Sequence, residues 1–182
     1  EMFRQKGIDV LFMCDAIDEW FLSSVTDYKG KKLKAIDKGN IELDDGKNKD
    51  DLKEKQKEFQ SLLVVMLNTV SEDVKEVRFS NRLTDSASCL VADEFAMSKQ
   101  MEQMFKSMGQ EAPAQKKILE INPNHVVIDR LKTLFEKDPA APEIKDYTEL
   151  LYNQALIAEG SKPKDPLAFA RKISDLMVKA LT

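Results

Sequence analysis

Pro123, Pro142 and Pro166 constrain this chain more than any other feature, because each stands at the head of an amphipathic run in its last third. Proline lacks an amide donor and fixes its own φ, so helix interiors exclude it and first turns accept it. Asn122 and Asp165 precede two of the three, and both residue types suit the cap position. The pattern predicts helices over 125–134, 143–159 and 167–181, with Gly160 ending the middle one. On the last, Phe169, Ile173, Leu176 and Ala180 form one row that Met177 widens, and the middle helix carries Leu150, Leu151 and Leu156. Apolar faces this broad on a terminal pair need covering, so these residues are expected to form a dimer interface through a helical bundle.

Upstream, Ile8–Met13 is a short apolar run that suits a buried strand, Asp15 is placed to cap a helix through Ile17, Trp20, Phe21 and Val25, and Leu33–Ile36 is a weaker strand candidate. The opening residues Glu1–Gly7 read as the middle of an element running into a turn, so a longer protein is expected around this segment. Residues 1–37 then form the end of an α/β domain, 38–49 a charged linker with Gly39 and Gly46, and 50–182 a second domain. That domain begins with a linker helix over 51–69 whose Leu52, Phe59, Leu63, Met66 and Val70 trace one face. Val74–Phe79, Ser88–Ala92 and Lys117–Ile121 predict a small three-stranded antiparallel sheet, and the fold class is therefore α+β.

Between the second and third strands lie Met97, Met101, Met104 and Met108, half of the eight methionines, at helical spacing with Phe95 and Phe105. Such a stripe is either core or an adaptable binding face, since methionine is unbranched and polarizable. Periodicity alone leaves both readings open.

Composition narrows the function. A net charge of −4 and a pI near 5.2 give no footprint for nucleic acid, which selects clustered, uncompensated Lys and Arg. The longest aliphatic run, Leu62–Leu67, is far short of the ~20 residues that span a membrane. Cys14 and Cys89 stand apart without metal-type spacing, pointing to a reduced, cytoplasmic setting. The six glycines never cluster into a phosphate loop, and His125 reads as a helix-start residue. The acidic run around Gly46 fails as a calcium loop, because Ile41 and Leu52 fall where carboxylates are required. No catalytic constellation, metal site or cofactor site is expected.

Several blocks carry a resemblance. Arg4–Leu11, Asp15–Trp20 and Gly30–Leu33 resemble the end of the middle domain of the heat-shock protein 90 chaperones. Asn81–Ser86 with Cys89–Val91, then Leu119–His125, Leu150–Leu156 and Asp165–Pro166, resemble the C-terminal domain of the same family, in the same order. The ending Lys179–Thr182, without an acidic tail, is similar to the bacterial branch.

The resemblance implies that ATP and magnesium belong to an N-terminal domain of the full-length parent, and that this segment is not an enzyme. It implies two roles: homodimerisation, and a share of the surface that binds non-native client proteins. Carried over, that surface would use Glu19, Trp20, Met97, Met101, Met104 and Phe105. An exposed apolar patch becomes a binding device there, with Trp as anchor and Met as adaptable floor. The competing reading is a helical interaction module whose methionine stripe is buried or bound to a fixed partner.

Overall fold

The computed structural model describes residues 2–13, 15–39, 54–94, 96–97, 105, 107–109 and 115–181, without the side chains of Ala16, Glu19, Trp20 and Ser23. Its elements are α1 (Met2–Gln5), α2 (Ala16–Ser24), β1 (Asp27–Tyr28), β2 (Lys31–Lys32), α3 (Gln60–Val70), β3 (Val74–Phe79), β4 (Ser88–Val91), β5 (Lys117–Ile121), α4 (Val126–Lys137), α5 (Pro142–Ala158) and α6 (Pro166–Leu181). The class is α+β, as the alternation of periodicities implies.

Two of the upstream expectations are corrected. Residues 8–13 form no strand, and Leu11 and Phe12 are 68% and 86% exposed, because no described strand lies alongside to complete a ladder. Leu33–Ile36 is likewise irregular; the ordered feature is the hairpin β1–β2 just before it. Its turn uses Lys29 at φ 51° and Gly30 at φ 75°, the left-handed pair that matches strand twist in a two-residue loop. Asp15 does begin α2, where its amide donates to Asp18 Oδ2 at 2.9 Å.

The core assembles downstream. The backbone is helical from 54, interrupted at Phe59, and continues as α3, whose Leu62, Leu63, Met66 and Val70 are buried. Phe59, Leu63, Met66 and Val70 are four of the five residues assigned to one face from the sequence; Leu52 lies outside the described residues. The Phe59 ring meets Phe79 edge-on with centroids 5.2 Å apart, tying the helix start to the sheet. α3 packs on β3, α5 on β4, and the two helices on each other, so one face of the sheet is covered by a helical layer.

The sheet order is β3-β5-β4, with β5 central. It is mixed rather than antiparallel: β5 pairs parallel with β3 and antiparallel with β4. The reason is connectivity. The chain from β4 to β5 returns between the first two strands instead of adding at an edge, which reverses one pairing. Central placement explains why Ile118, Leu119, Glu120 and Ile121 are all buried.

Candidate functional site

Two surfaces merit description, the α5–α6 hairpin and the back of the sheet. α5 starts on Pro142 and ends before Gly160, whose φ of +84° reverses the chain. Asp165 Oδ1 accepts from the Ala168 amide at 2.9 Å and caps α6. Lys172 lies 2.5 Å from both Asp146 and Glu149, and Lys179 is 4.0 Å from Glu143. Rising numbers on α6 meet falling numbers on α5, so the helices run antiparallel. Burial lowers the Lys172 pKa, but hydrogen bonds to Asp146 and Glu149 outweigh it and hold the ammonium above its usual value.

No residue of α6 is buried. Leu167, Met177, Val178 and Leu181 are 62%, 61%, 62% and 88% exposed, while Phe169, Ile173 and Leu176 are half-buried and Ala180 is exposed. On α5, Leu150 is half-buried, but Leu151 and Leu156 are 3% and 8% exposed and lie inside the protomer. Those two therefore shape the hairpin from within, while Met177 and Ala180 of the α6 row face outward and Phe169, Ile173 and Leu176 are half-covered.

The methionine stripe is described only at its ends. Met97 is half-buried and its amide donates to Gln115 Oε1 at 2.8 Å; Phe105 is half-buried; Met108 is 62% exposed. Phe95, Met101 and Met104 lie outside the described residues, and Glu19 and Trp20 are placed in α2 by backbone alone.

Sequence reasoning missed the back of the sheet. Register sets Arg78, Glu120 and Cys89 side by side on β3, β5 and β4. Glu120, 1% exposed, receives Arg78 Nη2 at 2.8 Å and Arg82 Nη2 at 3.0 Å on Oε1, and Ser80 Oγ at 2.8 Å on Oε2. Arg82 Nε is also 2.8 Å from Oε2, an ion contact without a well-aligned hydrogen bond. Two cations on one carboxylate, plus a hydroxyl, satisfy a charge that would be prohibitive to bury alone. The signal in the sequence was the alternation Val-Lys-Glu-Val-Arg-Phe, which reads as a solvated face. Cys89 beside the cluster has its thiol pushed up to about 12 by burial and by Glu120, partly countered by the two arginines. A thiol so raised stays protonated and is a poor nucleophile.

His125 acts as expected of a helix-start residue: Nδ1 accepts from the Val127 amide at 3.2 Å as the N-cap of α4. Asn122, suited by type to that cap, instead donates to the carbonyls of Thr84 and Ser86 at 2.9 and 3.2 Å, and pins their loop. Tyr152 is pushed up to about 12 by burial first and by Asp73 next. No described helix is long and apolar enough to cross a membrane.

Compared with known proteins, residues 1–182 match the family model described as Hsp90 protein. The chain is 46% identical over 182 residues to the chaperone protein HtpG of Geobacter sulfurreducens and 44% identical to that of Geobacter metallireducens, covering 98% of this chain in each case. It is 38% identical over 183 residues to the same protein of Mycobacterium avium, covering 100% of this chain. In all three it spans 28% of the relative's length.

Proposed function

The chain belongs to the heat-shock protein 90 family, and from that premise we propose that it is the dimerising and client-holding segment of an ATP-driven chaperone. The observation that carries the reading is α6, a sixteen-residue helix with no buried residue and four large apolar side chains more than half exposed. Patches of this kind on a folded chain mark interaction surfaces. A second copy offers the matching face by two-fold symmetry, with Phe169, Ile173, Leu176, Met177 and Ala180 at the contact and Leu150 at its margin.

Client binding is assigned to Glu19 and Trp20 on α2 together with Met97, Met101, Met104 and Phe105. The exposure of Met108 at the described end of the stripe supports an outward face. In this reading, residues 1–37 are the end of one domain and the sheet with its helices belongs to the next.

ATP chemistry is assigned in this reading to other parts of the longer parent protein, as the family membership implies, and this segment's share is binding and assembly.

The test is capture of a chemically denatured protein by the dimer, measured as suppression of its aggregation. Met101→Glu and Trp20→Ala are expected to weaken capture severalfold while leaving the far-UV spectrum and the dimer unchanged. Loss of folding in Met101→Glu would place the stripe in a core and sink the client assignment.

A further inference from the structure

Residues 36–39, which run into the expected 38–49 linker, are held by backbone hydrogen bonds. Gly39 is buried, its amide donates to the Ala92 carbonyl at 2.9 Å, and the Ala92 amide donates to the Asp37 carbonyl at 3.1 Å. Lys38 and Ala92 form a parallel bridge, which extends the β4 edge by one short rung. Above this rung sit the two guanidiniums of the buried cluster. Arg82 Nη1 donates to the Ile36 carbonyl at 2.5 Å and Nη2 to the Gly39 carbonyl at 2.9 Å, while Arg78 Nη2 reaches the same Gly39 oxygen at 2.8 Å.

Each arginine thus reaches both Glu120 and the incoming chain, its Nη2 donating to Glu120 Oε1 and to the Gly39 carbonyl. We propose that Arg82, anchored on Glu120, is a latch that fastens residues 36–39 to the back of the sheet, so that the hinge of the upstream residues lies before Ile36.

Chemistry specific to this segment supports the assignment. A planar guanidinium holds several donors in a rigid fork, so it can serve a carboxylate and two carbonyls at once; an ammonium cannot span them. The acceptor side is equally shaped. Gly39 has φ +59°, and a Cβ added there would lie 3.2 Å from Glu94 Cβ, so glycine alone brings the carbonyl to the arginines without strain or collision. Arg82 and Glu120 side chains are 7% and 2% exposed, which removes the water that would otherwise compete for these bonds. The latch is independent of client binding and requires only this chain.

Amide exchange by NMR on the whole chain tests it, with Ala92 as latch reporter and the β5 amides as fold reporters. Arg82→Lys keeps the charge against Glu120 and removes the fork; Gly39→Val attacks the acceptor from outside the core. Both variants are expected to speed Ala92 exchange by about tenfold or more while β5 stays protected. Trypsin gives a second readout: the wild type should be cut after exposed Lys34 and spared after Lys38, and both variants should gain the cut after Lys38. Unchanged Ala92 exchange in both variants overturns the latch. So does loss of β5 protection in step with Ala92 in both, which would make these residues part of the fold's core and not a fastening on it.

Discussion

Met177→Glu separates assembly from folding most cleanly. Met177 is 61% exposed in the protomer, so the substitution removes little that holds the fold together, and the change in unfolding free energy should stay within about 0.5 kcal/mol. In a two-fold dimer the same side chain is covered. Full burial of a methionine is worth about 1.5–3 kcal/mol, so covering the exposed three-fifths is worth about 1–2 kcal/mol per protomer. Symmetry counts it twice, giving about 2–4 kcal/mol per dimer, and the desolvation of two carboxylates adds to that loss. At 1.4 kcal/mol per factor of ten, the dimer constant should weaken by roughly 30-fold to 700-fold. Sedimentation equilibrium across a concentration series measures it, with a thermal melt as the folding control. An unchanged dimer constant, or a wild-type chain that stays monomeric at tens of micromolar, would refute the assignment of α6 as the interface.

Leu151→Ala should do the opposite, lowering unfolding free energy by about 2–5 kcal/mol in urea, because Leu151 is 3% exposed within the protomer core. Cys89 gives an alkaline signature. Its thiol titrates near 9.0 when unfolded and at about 12 when folded, so above pH 9 the unfolded state releases a proton that the folded state keeps. Stability from this residue is intact below pH 9 and falls by roughly 1 kcal/mol per pH unit as pH rises toward 12. The difference in unfolding free energy between wild type and Cys89→Ala should therefore shrink or invert from pH 8 to pH 10.5. A pH-independent difference would show that burial does not hold the thiol. Iodoacetamide should also label Cys89 far more slowly in the native chain than in urea, read by mass spectrometry.

Local chemistry made much of this molecule legible. The helices headed by Pro142 and Pro166 lie where caps and apolar periodicity put them, because first-turn proline and i, i+3, i+4 spacing are properties of the helix itself, whereas Pro123 lies in the turn before α4, which His125 caps. The α3 face that buries Phe59, Leu63, Met66 and Val70 was readable for the same reason. Strand segments were readable too, at Val74–Phe79, Ser88–Val91 and Lys117–Ile121, since β-branched and apolar runs bounded by turns are local signals. The same rules failed at Ile8–Met13, where strand-like composition meets no neighbouring strand among the described residues.

Pairing is where locality ends. Nothing within the strand segments dictates that β5 enters between β3 and β4, yet that placement makes the sheet mixed and buries β5 on both faces. It also makes Glu120 the centre of a buried ionic cluster, and brings Arg78 and Arg82 from the same strand-and-loop region onto it. Burial of Leu151 against outward exposure of Met177 was equally undecidable, because both sit in apolar rows of amphipathic helices. By itself the sequence determined the helices and strands of residues 60–181 and to which family the chain is akin, but not the local structure of residues 8–13 and 27–36. Tertiary structure decided which charges are buried, which apolar rows face out, and that Ile36–Gly39 is fastened to the sheet, since each depends on contacts between residues some forty or more positions apart.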